Sequence, residues 1–413
     1  MSRPRIELAD VIKTHGDAFL EAYGDTLSPE QRRALADLAR CRTASLGGHV
    51  EACDRCGYRQ IAYNSCRNCH CPKCQATEAA RWVEARAAEL LPVEYFHVVF
   101  TLPAALGPLA LQNPRVVYDL LFRTAAETLL QIAADPRHLG AEVGFLAVLH
   151  TWGQNLQHHP HVHCVVPGGG LSADGSRWVA CPDNFFLPVR VLSRVFRGKF
   201  LTGLRTAFER CRLKFRGRLA RLADADRFNR LLVDAVKTEW VVYAKPPFGG
   251  PRRVLKYLAR YTHRVAISNR RLVGMEDGRV RFRCKDYARG CKRRTMELEA
   301  TEFLRRFLLH VLPTGFVRIR HYGLLANRRR REKLAVCREL LGAAVSPEVI
   351  SPEALALATP LSLEVGVTET RCATLCPKCG VGRMVIIGEL PPVPQSARGP
   401  ASQSATHAIF DSS

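Results

Sequence analysis

Two Cys-x-x-Cys pairs, Cys53/Cys56 and Cys71/Cys74, constrain this chain more than any other feature. The residues around them are too polar to fold by burying a core, so the stretch needs another source of stability. Thiolates are soft and anionic, and four of them satisfy the tetrahedral preference of Zn²⁺. The spacing therefore predicts a structural zinc site made by Cys53, Cys56, Cys71 and Cys74, with the metal supplying the folding energy. Five further ligand types crowd the same region: Cys41, His49, Cys66, Cys69 and His70. Of these, Cys41, His49, Cys66 and His70 are the candidate set for a second zinc. Towards the other end, Cys372, Cys376 and Cys379 resemble a zinc knuckle, with Cys337 as the candidate fourth ligand.

The chain carries 16 cysteines and no apolar signal-peptide core before Lys13. Metal sites are expected in place of a disulfide framework, because cytosolic thiols stay reduced. No apolar run is long enough to span a bilayer, so the expected location is the cytoplasm, with no membrane partner. Lys and Arg number 61 against 38 Asp and Glu, a net charge of +23. Such a field favours polyanions, most simply nucleic acid.

The 413 residues allow two to four compact units. Residues 1–90 read as the zinc-binding module. They include a helix start at Ser28, with Pro29 in the first turn and Gln31 three residues after the cap. A helix over 77–91 leads out of it. Residues 92–345 read as a second unit. It has strands at 95–103 and 144–151, a helix at 116–134 and a hairpin turn at Asp174-Gly175. A basic helical stretch spans 189–219, a strand 238–245 and a rigid turn 246–250. Two strands are expected about Glu276-Asp277-Gly278, and a helix over 301–312. Residues 346–390 hold the knuckle, and the Pro/Ser/Gln-rich tail 391–413 has little to bury and reads as disordered.

Within the second unit, residues 161–166 (His-Val-His-Cys-Val-Val) read as a short buried strand ended by glycines. Side chains alternate along a strand, so His161 and His163 share a face while Val162 and Cys164 pack the other. Two imidazoles are too few for a closed site and suit an open one holding a divalent ion. The strand at 144–151 can pair antiparallel with this one, which brings a third ligand within reach. Gln154 is preferred, with His150 next, ahead of Gln157 and His159. Further on, Tyr257 and Tyr261 are four residues apart in a helical pattern, so both hydroxyls lie on one side. Basic Arg253, Lys256, Arg260, His263 and Arg264 surround them. A metal pair, paired tyrosines and a basic chain together suggest phosphoryl transfer on DNA, with a phenolic oxygen as nucleophile.

The sequence resembles transposases of the IS91 family, rolling-circle elements whose catalytic domain belongs to the HUH endonuclease superfamily with relaxases and replication initiators. The strings that carry the resemblance are 149–154 (Leu-His-Thr-Trp-Gly-Gln), the His-Val-His motif at 161–163 and 257–264 (Tyr-Leu-Ala-Arg-Tyr-Thr-His-Arg). They continue through 268–271 and 321–325, and the zinc-binding start belongs to the same pattern. That pattern has an arginine where Cys69 stands, which makes Cys69 a poor ligand.

The resemblance implies an α+β fold: a central antiparallel sheet with flanking helices, the histidines on a middle strand and the tyrosine helix across them. It implies nicking of single-stranded DNA at element ends, and joining to target DNA, through a 5′-phosphotyrosine at Tyr257 or Tyr261. It also implies Mg²⁺ or Mn²⁺ on His161 and His163, and a place with the nucleoid. Arg270, Arg271, Arg318, Arg320, Arg328 and Arg329, with the basic residues of the tyrosine helix, are expected to bind DNA. Two alternatives stand beside this reading. One is a zinc-dependent DNA-binding or regulatory protein with an inactive nuclease centre. The other is a related replication initiator or relaxase.

Overall fold

The computed structural model describes residues 6–75, 82, 86, 89–245, 265–286, 292–342 and 375–393. The chain opens with helices α1 (Leu8–Tyr23) and α2 (Pro29–Arg40). Ser28 starts α2 as expected: its Oγ accepts from the Gln31 amide at 3.2 Å, and the Gln31 side chain accepts from the Ser28 amide at 2.9 Å. The reciprocal pair satisfies donors that helix geometry leaves without partners. Strands β1 (Gly48–Cys53) and β2 (Arg59–Tyr63) form a hairpin. They are followed by β3 (Tyr95–Thr101), the short α3 (Gly107–Gln112) and the long α4 (Pro114–Ala134). Strands β4 (Gly144–Trp152) and β5 (His158–Pro167) come next, then the small hairpin of β6 (Gly169–Leu171) and β7 (Trp178–Ala180). Helices α5 (Val189–Glu209) and α6 (Ala225–Lys237) lead to β8 (Val242–Lys245). Beyond residue 264 come β9 (Leu272–Glu276), β10 (Arg279–Asp286), β11 (Lys292–Glu299) and α7 (Ala300–Leu308). Strand β12 (Ile319–Gly323), α8 (Arg330–Leu340) and β13 (Met384–Leu390) complete the described elements.

The central sheet has the order β12-β4-β5-β3-β8, and every neighbouring pair is antiparallel. Strand β5 is therefore the middle strand of an α+β unit, as expected. Its even-numbered residues Val162, Cys164 and Val166 join Phe96, Val98, Phe100, Phe145 and Leu149 in the main core. Helices α4 and α5 cover that face with Leu121, Phe122, Phe196 and Phe200. On the opposite face Tyr95, Leu146, Val148 and Val165 pack with Trp82, Leu90 and Val93 at one end, and histidines stand towards the other. Gly323, at φ 59°, lets β12 approach β4: a Cβ there would overlap the Val143 carbonyl oxygen.

A second core joins distant parts of the chain. Val11, Phe19, Leu35 and Leu38 of α1 and α2 pack with Val280 and Phe282 of β10 and Phe303 and Phe307 of α7. The Gln31 side chain donates to the Leu308 carbonyl across this interface at 2.9 Å. Strands β11-β10-β9 form a second antiparallel sheet, and a third, small sheet has the order β13-β1-β2, so β13 pairs with the N-terminal hairpin.

Some sequence-based boundaries move. Strand β5 begins at His158, three residues earlier than expected, and the connection from β4 is a tight turn in which Leu156 is buried at φ 61°. The basic helix ends at Glu209, because Cys211 takes φ 52° and breaks the helical path. The helix expected over 301–312 stops at Leu308. The turn 246–250, the tyrosine helix and the tail beyond 393 lie outside the described residues, as does the 77–91 helix apart from Trp82, Arg86 and 89–91. Among the described residues, no helix is long and apolar enough to cross a membrane.

His310 ties the β4–β5 turn to the end of α7. Its Nε2 donates to the Leu156 carbonyl at 3.0 Å, and its Nδ1 accepts from the Thr151 hydroxyl at 3.2 Å. Burial, with a smaller contribution from His70, pushes its pKa down from 6.5 to about 4. Burial likewise depresses His158 to about 3. Between the unfolded value and these folded values, the unfolded chain takes up more protons. The stabilisation is thus complete above about pH 6.5 and is lost as pH falls towards 4 for His310 and towards 3 for His158, on the order of 1–3 kcal/mol for each ring. Urea midpoints should be level above neutrality and fall across that window. The His310→Gln variant should show a shallower fall; an equal slope would refute the assignment.

Candidate metal centres and nucleic-acid interface

The antiparallel register of β4 and β5 sets His150 directly opposite His161, and alternation puts His163 on the same face. One ring nitrogen from each of His150, His161 and His163 lies within 4.8 Å of the others. Ring centroids are 4.4 Å apart for His150–His163 and 4.8 Å for His161–His163. His150 and His163 are buried, whereas His161 is partly open to solvent. His161 Nδ1 donates to the His159 carbonyl at 2.6 Å, so Nε2 carries the lone pair a metal would need.

Two neighbours hold this cluster in place. His97, on β3, brings its Nε2 to 2.7 Å from His163 Nδ1, with the two rings parallel. Donation from His163 Nδ1 to His97 leaves the His163 lone pair on Nε2. Trp152 stacks on His150 at 4.7 Å. Neither was picked out from the sequence. The signal for His97 was a histidine in an otherwise apolar strand, legible only once β3 is known to lie beside β5.

Gln154, the preferred third ligand, does not take the neighbouring-strand position. It lies beyond the end of β4, past a register shift between His150 and Trp152, and its main-chain carbonyl accepts from Arg271. His150 occupies the place opposite His161.

The cysteines also group differently from the expectation. Cys41, Cys66, Cys71 and Cys74 have sulfurs within 4.8 Å of one another, and so do Cys53, Cys56, Cys376 and Cys379. The two Cys-x-x-Cys pairs of the N-terminal region thus belong to different clusters. Pairing of β13 with β1 sets Met384 opposite Cys53 and seats the C-terminal knuckle beside the first. The places beside Cys71 and Cys74 are taken by Cys41, at the end of α2, and Cys66. Hydrogen bonds from Cys41, Cys66 and Cys71 hold Cys74 well below the ordinary thiol range. Hydrogen bonds among the same sulfurs push Cys66 and Cys71 up, so Cys74 is the readiest thiolate of the four.

The remaining expected ligands stand apart. His49 Nε2 is bound to Glu51 at 3.0 Å. His70 Nε2 accepts from the Leu312 amide at 3.2 Å, and burial lowers its pKa to about 4. Cys69 is exposed. Cys337 packs among Leu91, Leu171, Leu324 and Leu334. Cys372 lies outside the described residues.

The basic residues divide by what their guanidinium groups touch. Arg271 donates to the carbonyls of Gln154 and Arg283, half-buried Arg318 donates to Gln75, and Arg320 pairs with Asp119 over the ring of Phe122. These three are struts within the protein. Arg270, Arg328 and Arg329 are exposed. Arg253, Lys256, Arg260 and Arg264 lie outside the described residues, with Tyr257 and Tyr261.

A further basic surface escaped the sequence reading. On β10 and β11, Val280, Phe282 and Cys284 point into the second core, so Arg281, Arg283 and Lys285 point outward. At one end, Arg279 and Arg281 are neutralised by Glu297, Glu299 and Glu276. At the other, Lys285 stands directly across from Arg293, both exposed. Like charges opposite each other destabilise a sheet, and a polyanion laid over them would relieve this. On the histidine face, the register Tyr243–Val99–His163 places a half-exposed tyrosine on the edge strand β8, two strands from the cluster.

Comparison with known proteins agrees with this architecture. Residues 11–102 match the family model described as "Transposase zinc-binding domain", and residues 144–333 match the one described as "Putative transposase". Over 389 residues the chain is 56% identical to "Putative transposase y4qJ" of Sinorhizobium fredii, covering 94% of this chain and 96% of that protein. Over 333 residues it is 31% identical to the "Transposase for insertion sequence element IS801" of Pseudomonas savastanoi pv. phaseolicola, covering 79% of this chain and 74% of that one. No solved structure matches the chain significantly. The fold, the cysteine clusters and these matches define a transposase with a zinc-binding N-terminal domain. Within that class, the chain belongs to the IS91 family.

Groups that orient metal-bound imidazoles typically contribute 10–100-fold in affinity. Calorimetric titration of Mn²⁺ should therefore show binding lost in His163→Ala and weakened by about 10–100-fold in His97→Ala. An unchanged dissociation constant in His97→Ala would remove its orienting role.

Proposed function

We propose that the histidine cluster holds the catalytic ion of an HUH-type nuclease and strand transferase, which cuts single-stranded DNA at element ends and joins it to target DNA. The observation that carries this reading is the convergence of His150, His161 and His163 on one face of the middle of the sheet, in a chain of this family. Three neutral imidazoles suit Mn²⁺ better than Mg²⁺, which prefers oxygen ligands. The ion would polarise the scissile phosphate and stabilise the charge that develops on it.

The protein's own groups supply the rest. A phenolic oxygen of Tyr257 or Tyr261 attacks phosphorus and loses its proton. The bond from phosphorus to O3′ breaks, the sugar leaves as a 3′-hydroxyl, and a 5′-phosphotyrosine remains. The bond energy is kept for rejoining, and a second tyrosine allows a second cut before the first link is resolved. The outward face of β10 and β11, with Arg270, Arg328 and Arg329, is suited to backbone phosphates, and the exposed ring of Tyr243 to base stacking. Cys41, Cys66, Cys71 and Cys74 hold the structural zinc of the N-terminal domain. Such work would be done in the cytoplasm, at the nucleoid.

Oligonucleotides from the flanking element ends should form a covalent adduct with the protein in Mn²⁺. Tyr257→Phe combined with Tyr261→Phe should abolish it, as seen by denaturing electrophoresis and peptide mapping of the labelled residue. An adduct that survives the double change rejects the tyrosine assignment; tight binding without any adduct in the wild-type protein favours the DNA-binding alternative. Separately, Lys285→Glu combined with Arg293→Glu should weaken binding across unrelated sequences. It should also make the log–log salt dependence shallower, by about one for each phosphate that the protein no longer neutralises. A slope unchanged from wild type would remove that face from the DNA path.

A further inference from the structure

We infer that Cys53, Cys56, Cys376 and Cys379 bind a zinc ion of their own, and that this ion, held half by each end of the chain, locks residues 375–393 into the N-terminal domain. The inference does not depend on the nuclease reading.

The sulfur geometry is that of a tetrahedral site. Zinc–sulfur bonds of about 2.3 Å give a tetrahedron with edges of about 3.8 Å. Cys53 and Cys379 are 3.7 Å apart, and Cys56 and Cys376 are 3.6 Å apart. A disulfide would need about 2.0 Å, so the four sulfurs are neither bonded nor dispersed.

The two halves are conformational twins. In each, a Cys-x-x-Cys is followed by a glycine at positive φ, 66° at Gly57 and 68° at Gly380. In each, that glycine's amide returns to the carbonyl of the first cysteine, Gly57 to Cys53 at 3.2 Å and Gly380 to Cys376 at 2.9 Å. Both turns aim amides at sulfur. Arg55 and Cys56 donate to Cys53 at 3.4 Å, Lys378 donates to Cys376 at 3.4 Å, and Gly382 donates to Cys379 at 3.3 Å. Four thiolates around one Zn²⁺ carry excess negative charge, and amide dipoles pointed at sulfur disperse it. Gly382 permits the close approach, since a Cβ there would meet Cys53 Sγ at 2.4 Å.

Burial alone does not hold the halves together. Among the described residues, the local core consists of Cys53, Cys376 and Met384, with Tyr58 and Cys379 against it, while Val385, Ile386 and Ile387 of β13 are exposed. A core of that size needs a metal. The ligand pairs are more than 300 residues apart in sequence, at separations of 320 and 326. The zinc-binding domain match ends at residue 102, so it contains only half of the ligands.

Zinc analysis of the purified full-length protein should give two ions per chain. The Cys376→Ser/Cys379→Ser double variant should retain one. Hydrogen exchange at β1 and β2 should accelerate in that variant, while the α1–α2 amides keep their protection. A wild-type protein with one zinc, or a double variant with the wild-type content, would overturn the proposal. Should the double variant fail to fold, Cys379→His keeps a ligand. Its Co²⁺-substituted form should move from the spectrum of four-sulfur coordination towards that of three sulfurs and one nitrogen at one of two sites. An unchanged spectrum would also overturn it.

Discussion

The hydrogen-bonded register of β3, β4 and β5 is the constraint on which the histidine face depends. A slip of one residue would turn His161 and His163 into the core and push Val162 and Cys164 out. The apolar packing against α4 and α5 therefore fixes the chemistry of the other face without touching it. The same register puts His150 across from His161 and carries His97 to the back of His163. Three strands, consecutive in the chain and adjacent in the sheet, are needed to place four imidazoles.

Metal takes over where burial is insufficient. The central sheet has a large apolar core and can stand on it. Among the described residues, the small β13-β1-β2 sheet has almost none, and its polar turns meet at the four sulfurs. The first cluster lies against a real core, since Cys41, Cys71 and Cys74 pack with Leu38 and with residues of α7 and β10. One cluster thus reinforces packing, and the other stands in for it.

The positive charge has two uses that composition cannot separate. Arg271, Arg318 and Arg320 satisfy carbonyls, an amide side chain and an aspartate, and they brace the β4–β5 turn and β12. Arg283, Lys285 and Arg293 face outward from a sheet whose other side is buried. An arginine next to an aromatic residue can be a strut or a phosphate ligand, and only its neighbours in space tell which.

Local regularities determined what the sequence could say alone. The His-x-His alternation, the Ser28 cap, the strand and turn pattern, the family strings and the knuckle spacings all lie within a few residues of chain, where backbone geometry dictates outcome. The grouping of cysteines did not follow, because Cys53 is nearer to Cys71 than to Cys376 along the chain but not in the fold. Spacing ranks ligands by loop length, whereas strand pairing brought β13 to β1 regardless of the intervening residues. The place of His150 opposite His161, and of His97 behind His163, was likewise set by cross-strand register, a relation between paired strands that the pattern of one strand does not contain.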